Sequence, residues 1–440
     1  MSISILEKSS GARKKRPVTA LVLSGGAVSG GAFKAGGLIA MDLLLGQFSV
    51  LDFDMYLGIS AGSFLATPLA AGIPPQEIFA SFAGRSDKLG SFSASKFYYP
   101  NFGEFAAKGS DAVRELAQFT PRAVWAMARA MSRTTTSGSA FFKRLYGKGS
   151  ASRSDVVRGF EDELQALVEQ MPSLEAFVPS GVFDNSKIEK YIRENFQRYR
   201  VPNHFVLLEK ERKKKLYIHA VDLDTAQDVV FGPDERTDVT ISEAVQASTA
   251  LPGFYRPAFI NGKYYIDGSA KKTAPIDTAV QKGADLIICY NPFRPYSHAP
   301  HKGLSSKYGS LGEMGFSKVI DQSIRTLLHS RLAISVQEIA QDPSFRGDLL
   351  VLEPAESDKE FFRINPLSFW KRAEAARHGF MTVMRDIERD FDRIQGLLSR
   401  YGLYLSMGRL ESVADRLAQA QGPEDIINAL TKTYGASAGR

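Results

Sequence analysis

Cysteine is almost absent from this chain, because Cys289 is the only one among 440 residues. A single thiol excludes an internal disulfide framework, and its place in the apolar stretch DLIICY predicts a buried, unreactive side chain. No apolar run approaches the roughly 18 residues that a membrane-spanning helix needs. The N-terminal stretch also lacks the apolar region of a secretory signal. These absences predict a cytoplasmic protein, with secretion by a route that uses no such signal left open.

Charge is unbalanced towards the positive side, with a formal net charge of +7 at pH 7. Basic residues cluster at 13–16 and 210–215, and we expect the second cluster to form the turn of a hairpin between strands at 205–208 and 216–218. The basic stretches carry no interleaved aromatic residues and no helix-turn-helix pattern, so the sequence predicts no nucleic-acid partner. A peripheral contact with an anionic lipid surface fits the charge better.

The stretch FDMYLGISAG carries the strongest indication of chemistry in the chain. Its apolar start leads into Gly58-Ile59-Ser60-Ala61-Gly62, which matches the G-x-S-x-G nucleophile elbow. In such an elbow a strand turns sharply into a helix and exposes the serine hydroxyl, and the two flanking glycines avoid clashes with neighbouring elements. A structural glycine turn is the alternative, so the context has to decide.

Upstream of the elbow, the apolar segment VTALVL predicts a buried strand that ends in a glycine-rich loop, SGGAVSGG. A helix is expected to follow over about residues 32–45. Free backbone N–H groups in such a loop can hold phosphate or stabilise an oxyanion. The loop matches neither of the phosphate-binding fingerprints, the P-loop or the dinucleotide motif. An oxyanion hole fits better, since a candidate serine nucleophile follows one strand later.

A third motif lies far downstream, where the aromatic strand YYIDGS ends in Asp267, followed by Gly268 and Ser269. On its own an Asp-Gly pair is only a turn. The chain resembles the patatin-like phospholipase family in the order and spacing of its strand, glycine loop, helix, elbow and late Asp-Gly pair. The segment AVQASTALPGF before the aspartate resembles this family as well. The resemblance covers about residues 17–295 and extends more weakly to about residue 385.

The resemblance implies a catalytic dyad, with Ser60 as the nucleophile and Asp267 as the general base. A carboxylate that accepts the serine proton needs a pKa well above that of a free aspartate. We expect partial burial among Tyr264, Tyr265 and Ile266 to raise it. The resemblance implies no metal and no organic cofactor.

The resemblance further implies an oxyanion hole at Gly25, Gly26 and Ala27, with departures from the family pattern. Ala27 stands where the family has a third glycine, and Ser29 stands where it has Arg or Lys. One residue is inserted after Gly30. An alanine N–H still donates if its φ is negative. The missing cation leaves open what orders the loop or binds a lipid phosphate.

A Ser-His-Asp triad is the alternative to the dyad. The chain has six histidines, and four of them follow Asp267, so the order Ser…Asp…His can formally be met. None has a distinctive neighbourhood, and the dyad is favoured. The histidines are His204, His219, His298, His301, His329 and His378.

Residues 91–178 form a predicted helical insertion that the core fold does not need, and one interpretation is a lid over the acyl site. Within it, residues 121–133 have the pattern of a basic amphipathic helix. Docking to a membrane surface and packing as an ordinary surface helix fit this pattern equally well. The predicted membrane contacts are Arg122, Trp125, Arg129 and Arg133.

The sequence therefore predicts an α/β fold, a three-layer α/β/α patatin-like hydrolase with a mostly parallel central sheet and a C-terminal helical extension. We expect a basic flexible tail over residues 1–16, the hydrolase domain over 17–388 and the extension over 389–440. The expected activity is hydrolysis of carboxylic esters of lipids or phospholipids through an acyl-enzyme. A serine esterase for lysolipids, neutral glycerides or a polyester is one alternative. A catalytically silent lipid- or protein-binding member of the family is the other, and the oligomeric state is open.

Overall fold

The computed structural model describes residues 3–9, 16–101, 104, 179–297 and 310–432. The strands among these residues are β1 (Ile3–Glu7), β2 (Thr19–Leu23), β3 (Met55–Ile59), β4 (Gly181–Phe183), β5 (Lys215–Asp222), β6 (Gln227–Phe231), β7 (Gly253–Tyr255), β8 (Ala258–Ile260), β9 (Lys263–Asp267), β10 (Leu286–Tyr290) and β11 (Asp348–Leu352).

The α-helices among the described residues are α1 (Ala27–Leu44), α2 (Ala61–Ala70), α3 (Pro75–Phe82), α4 (Ala94–Phe97), α5 (Ser186–Arg198), α6 (Phe205–Arg212), α7 (Ile241–Thr249), α8 (Ile276–Gln281), α9 (Phe316–Gln341), α10 (Lys359–Arg363), α11 (Arg372–Arg389), α12 (Phe391–Ser399), α13 (Gly408–Gln419) and α14 (Pro423–Thr431). Short 3-10 turns occur at Gly268–Ala270, Leu311–Met314 and Phe369–Lys371.

A nine-stranded sheet organises the fold, with the order β1-β11-β10-β2-β3-β5-β9-β8 and with β6 paired to β5. The five neighbouring strands from β11 to β5 run parallel, whereas β1, β6, β9 and β8 pair antiparallel. Every residue of β2, β3, β10 and β11 is buried, as parallel strands covered on both faces require. The predicted α/β fold with a mostly parallel central sheet is confirmed.

Side chains of the central strands alternate between two apolar clusters, one on each face of the sheet. In β2, Leu21 and Leu23 belong to the larger cluster, while Ala20 and Val22 belong to the smaller one. Helices α1, α2 and α11 contribute to the larger cluster, and α8 and α9 contribute to the smaller one. Helices therefore cover the sheet on both faces.

Helices α1 and α11 pack with their backbones in close contact. A Cβ at Gly36 would lie 1.9 Å from the carbonyl oxygen of Ala376, and one at Gly379 would lie 1.8 Å from that of Phe33. Only glycine allows this approach at both positions. As a result, the segment before α11 lies against the start of α1, where the N–H of Ser29 donates to the carbonyl oxygen of Pro366 at 3.0 Å.

Helix α1 differs in two ways from the sequence-based expectation. It begins at Ala27 rather than near residue 32, so the residue inserted after Gly30 lies within the helix and not in the loop. By length and composition it could also cross a membrane, with a mean hydropathy of 1.2 over 18 residues, although no such run was expected. In this fold 83% of that window is buried, because α1 lies in the larger core cluster.

The predicted hairpin around the second basic cluster is wrong. Residues 205–212 form helix α6, in which Phe205 and Leu208, three residues apart, are buried on one side. Lys213 then ends the helix with a φ of 57°, and β5 follows at once. The basic residues thus belong to the end of a helix and the start of a strand.

The chain divides into two compact units, Met1–Tyr99 with Phe183–Arg440, and Pro100–Val182. The sheet and the helices that cover it belong to the first unit. Most of the predicted insertion at 91–178 lies outside the described residues, and the predicted domain boundaries stay predictions. The predicted membrane contacts, also outside the described residues, are Arg122, Trp125, Arg129 and Arg133.

Candidate active site

Ser60 lies at the turn between β3 and α2, with a φ of 54° and a ψ of −127°. This conformation is strained for a residue with a side chain. The motif glycines allow it, because a Cβ at Gly62 would lie 1.9 Å from the carbonyl oxygen of Leu23 and one at Gly58 would lie 2.5 Å from the Cα of Ser63. The turn therefore has the geometry of a nucleophile elbow held by close backbone contacts.

The main chain of Ser60 is fully hydrogen-bonded within the elbow. Its N–H donates to Ser248 Oγ at 2.9 Å, and its carbonyl oxygen accepts from the N–H of Phe64 at 3.2 Å and from Ser63 Oγ at 2.7 Å. The residue is only 8% exposed and contributes to the wall of a cavity. The hydroxyl is thus the group of Ser60 left for chemistry.

Strand β5 brings Asp267 close to Ser60. Ala220 in β5 pairs with Asp267 in β9 on one side, and the residue before Ala220 pairs with Ile59 in β3 on the other. Ser60, one residue after Ile59, therefore lies across Ala220 from Asp267. A Cβ at Gly268 would also come within 3.1 Å of Ile59 Cγ2, so β3 and the Asp-Gly motif lie close together.

The Asp267 carboxyl group is 1% exposed, and burial raises its pKa to about 6. Three nearby groups oppose this rise in the pKa. The largest opposing effect comes from the Ser60 hydroxyl, followed by hydrogen bonds from Ser269 and then by the charge of Lys34. Oδ1 accepts the N–H of Ser269 at 2.8 Å, whereas the buried Oδ2 has no hydrogen-bond partner in the described part of the chain. One oxygen is thus fixed in place, and the other can accept a proton.

The source of this burial differs from the expectation. Alternate residues of a strand face opposite sides of the sheet, so Tyr264 and Ile266 lie on the other face from Asp267. Tyr264 is 46% exposed and shields nothing there. Tyr265, fully buried, shares the Asp267 face. The sheet and α7, which packs against β5 and β9, provide the rest of the burial.

The glycine loop lies directly against the elbow. A Cβ at Gly25 would come 3.4 Å from Ser60 Cβ and 2.6 Å from Ser269 Oγ. Gly26 has a φ of 146°, which requires glycine, and its carbonyl oxygen accepts from the N–H of Gly30 at 2.8 Å. Ala27 has a φ of 49°, so the negative φ that its N–H was expected to need is absent.

Lys34, a residue that the sequence analysis did not select, holds the loop from within α1. Its Nζ donates to the carbonyl oxygen of Gly25 at 2.5 Å, and the side chain is completely buried. Burial lowers the pKa of this amine to about 7, while Cys289 and Asp267 raise it. The feature of the sequence that could have indicated Lys34 is its position as the one lysine in an otherwise apolar stretch of predicted helix.

An apolar cleft with a volume of about 80 Å³, partly open to solvent, lies beside Ser60. Aromatic side chains dominate its wall. They are Phe64, Phe82, Phe92, Phe97, Phe254, Tyr255 and Phe369. Arg372, at the start of α11, is the single charged residue among the described residues that line it, and no motif in the sequence marks this arginine. Such a cleft suits a hydrocarbon chain.

The described histidines pair with carboxylates away from the cleft or lie elsewhere. His219 Nδ1 is 3.2 Å from both carboxylate oxygens of Asp228, on the opposite face of β5 from Ala220. His329 lies 3.3 Å from Glu353 and His378 lies 2.9 Å from Glu360. His204 precedes α6. His298 and His301 lie outside the described residues.

Two solved structures from bacteria are similar to the chain at low sequence identity. The crystal structure of VipD from Legionella pneumophila is 14% identical, with a TM-score of 0.30, and the match covers 98% of this chain and 88% of that one. Full-length ExoU in complex with SpcU, from the type III secretion system of Pseudomonas aeruginosa, is 16% identical, with a TM-score of 0.26, over 100% of this chain and 74% of that one. These values are too low to carry an argument.

A family model for the patatin-like phospholipases matches residues 21–280, which is more than half of the chain. The matched range begins in β2 and includes the glycine loop, the elbow and the Asp-Gly motif. This chain belongs to the patatin-like phospholipase family.

Proposed function

We propose that this protein hydrolyses carboxylic esters of lipids through a Ser60–Asp267 dyad. Family membership supports a lipid ester as the substrate. The observation that carries the dyad is the Asp267 carboxyl group, buried across one strand from Ser60, with a pKa of about 6 and a second oxygen without a partner among the described residues. A base near neutrality with a free acceptor is what proton removal from a serine needs.

Ester hydrolysis at this site needs only these two side chains and water. Ser60 Oγ attacks the ester carbonyl carbon, and its proton passes to Asp267. The bond to the alcohol oxygen then breaks, and the alcohol leaves with the proton from Asp267. Water attacks the acyl-enzyme with Asp267 again as the base, which releases the fatty acid and restores the Ser60 hydroxyl.

The Gly25–Gly26 peptide is the best candidate for holding the oxyanion. In a trans peptide the C=O and N–H groups point to opposite sides, and Lys34 binds the carbonyl oxygen of Gly25. The N–H of Gly26 consequently points away from Lys34, and we assign it as the principal oxyanion donor. Lys34 is then a positioning residue, which orders the loop in place of the cation missing at Ser29.

We also propose that the protein acts at a membrane surface, with the basic residues around Trp125, for which the sequence pattern predicts an amphipathic helix, as the contact. The charge asymmetry of the sequence and the lipid substrate support this proposal. Trp125→Glu should weaken binding to anionic liposomes and lower activity on vesicles, while hydrolysis of a water-soluble ester stays unchanged. Liposome binding and vesicle activity equal to wild type would contradict the contact.

The dyad is tested by hydrolysis of p-nitrophenyl butyrate and of mixed phospholipid vesicles. Ser60→Ala and Asp267→Asn should each lower kcat by about 10³-fold or more. Asp277→Asn is the matched control, since it makes the same chemical change at a half-exposed carboxylate outside the cleft. Melting temperatures establish that each variant is folded.

The alternatives predict different outcomes. A Ser-His-Asp triad requires that His298→Ala/His329→Ala also abolish activity, whereas the dyad requires that this variant remain active. An esterase for another substrate class would hydrolyse p-nitrophenyl butyrate and spare phospholipid. Wild-type protein that hydrolyses no ester in the presence of membranes would support a silent binding protein.

A further inference from the structure

Arg372 places a positive charge in the largely apolar wall of the cleft beside Ser60. The other described residues of the wall are uncharged, and a hydrocarbon chain makes no favourable interaction with a cation. Placing a charged group in an apolar wall costs free energy unless a partner of opposite charge compensates it. Arg372 is therefore a candidate for binding a charged part of the ligand.

The guanidinium group has few partners within the protein. One terminal nitrogen donates to the carbonyl oxygen of Phe369 at 3.0 Å, and Cζ lies 4.5 Å from the centre of the Phe369 ring. Nε is buried and has no hydrogen-bond partner among the residues that the structure describes. An arginine has five N–H donors, so most of its donating capacity is not used by these contacts.

No carboxylate in the described part of the chain lies within ion-pair distance of Arg372. Glu424 is the acidic residue that influences it, and burial, opposed by Glu424, lowers the pKa of the guanidinium. Glu424 itself forms an ion pair with Arg85. Within the described ranges, the positive charge of Arg372 thus has no close counter-ion. The adjacent Lys371, in contrast, is paired with Glu374 at 2.7 Å.

The segment that carries Arg372 also packs on the glycine loop. Pro366 accepts the N–H of Ser29, and Leu367, Phe369 and Arg372 then line the cleft in turn. Ser29 is buried and does not contribute to the wall. The loop therefore offers no cation to the cleft, and the segment before α11 does.

We propose that Arg372 binds the phosphate group of a phospholipid whose ester lies at Ser60, so that phospholipids are preferred over neutral glycerides. The proposal rests on the proposed ester hydrolysis only for the position of the ester. A planar guanidinium with free donors suits two phosphate oxygens, which form charge-assisted hydrogen bonds with it. The aromatic wall holds the hydrocarbon chain, and Arg372 selects the head group.

The test measures binding in the Ser60→Ala background, where no turnover occurs. Dihexanoylphosphatidylcholine and dihexanoylglycerol carry the same chains and differ in the phosphate-containing head group. Arg372→Gln should weaken binding of the phospholipid about 10- to 100-fold and leave the glyceride unchanged. Lys371→Gln, the matched control one residue away, should change neither, and Arg372→Lys should be intermediate.

Kinetics separate this proposal from the proposed function. With Ser60 intact, Arg372→Gln should lower kcat/KM at least tenfold more for the phospholipid than for p-nitrophenyl butyrate, which carries no phosphate group. Failure of wild type to hydrolyse any ester would overturn the proposed function, whereas the binding measurements would still decide the role of Arg372. Equal weakening for both lipids, or no weakening for the phospholipid, would overturn the phosphate site.

Free phosphate is distinguished from the lipid head group by a second probe. Inorganic phosphate should compete with the phospholipid only at much higher concentration, because it lacks the hydrocarbon chains. If inorganic phosphate raises the melting temperature of wild type but not of Arg372→Gln, while phospholipid binding is the same in both, the site takes a free anion and the substrate preference is wrong.

Discussion

Two neighbouring strands end in turns that lead into helices without a side-chain cap, but the two turns are held in different ways. At the end of β3, the strained turn at Ser60 is fixed by backbone contacts of Gly58 and Gly62. At the end of β2, the turn at Gly26 is held by an amine that reaches back from Lys34 in α1. One turn depends on local sterics, and the other depends on an ionisable side chain.

Because the two turns are held differently, the Ser60 turn and the Gly26 loop should respond differently to pH and to mutation. The proposed nucleophile, Ser60, sits on a turn that only uncharged groups hold, so we expect the shape of this turn not to change with pH. The candidate oxyanion donor sits on a loop whose carbonyl group binds an amine with a pKa of about 7. Changes at the elbow should therefore affect folding, whereas changes at the loop should affect catalysis.

The largest effect is expected from a methyl group at the elbow. In Gly62→Ala the new Cβ would lie 1.9 Å from the carbonyl oxygen of Leu23, so β2 and α2 would have to separate. We expect destabilisation by about 3 kcal/mol or more, or loss of folded protein. Gly396→Ala is the control, since a Cβ there meets nothing within 4 Å. A Gly62→Ala protein with the melting temperature of wild type would contradict the steric account.

Replacing the amine at the loop should reduce activity without unfolding the protein. Lys34→Met keeps the length of the side chain and removes the donor to Gly25, and we expect kcat to fall about 100-fold with a smaller change in KM. Lys371→Met, on the surface, is the control. Equal activity of Lys34→Met and wild type would remove Lys34 from the mechanism.

Stability distinguishes this role from a merely structural one. The folded-state pKa of Lys34, about 7, lies below the ordinary value of 10.5, so the unfolded chain binds more protons between these pH values. The free energy of unfolding of wild type should therefore rise from pH 7 towards pH 10. This rise should be absent in Lys34→Met. If the free energy of unfolding rose equally in both proteins, the rise could not come from a lowered pKa of Lys34.

The pH dependence of activity should show both groups. Asp267 must be ionised to accept a proton, so kcat/KM should fall about tenfold per pH unit below its pKa of about 6. Lys34 loses its charge above about pH 7, and activity should decline there. Lys34→Met should keep the acid limb and lose the alkaline one. A wild-type profile that is flat from pH 4 to pH 6 would contradict Asp267 as the base.

The smallest effect is expected at Ser248, one of the two side chains that hydrogen-bond the backbone of Ser60. Ser248→Ala removes the acceptor for the N–H of Ser60, which leaves that group buried and unpaired. We expect a loss of stability of about 1–3 kcal/mol and a severalfold decrease in kcat. Ser323→Ala, on the exposed side of α9, is the control. A Ser248→Ala variant as stable and active as wild type would show that the elbow does not need the hydrogen bond between the Ser60 N–H and Ser248.

The same contrast explains which features could be predicted from the sequence. The elbow is encoded in five consecutive residues, and the buried strands are short apolar runs, so both were recognisable. No local motif marks Lys34 or Arg372. Lys34 reaches Gly25 because the side chains of a helix point towards its N-terminus, and the glycine loop lies directly before α1. Arg372 reaches the cleft because Gly36 and Gly379 let two helices approach closely.

Prediction from the local sequence was wrong where the same pattern of residues fits both a strand and a helix. Residues 205–208 are apolar and suit a strand as well as one turn of a helix, and the following charges decided for a helix, since Lys and Arg lie in its last turn. The burial of Asp267 was expected from its sequence neighbours, but in a strand adjacent residues face opposite sides. Its burial comes from elements distant in the sequence.

Cys289 gives the protein a natural advantage for site-specific labelling. The thiol lies in β10 at the centre of the sheet, with no exposed surface, and burial raises the pKa of the thiol well above its usual range. Maleimides react with thiolates, so the native protein should stay unlabelled. A cysteine introduced at Trp370, which is exposed at the segment before α11, would then carry a single fluorophore close to the cleft. Slow labelling of Cys289 itself would report the opening of the sheet.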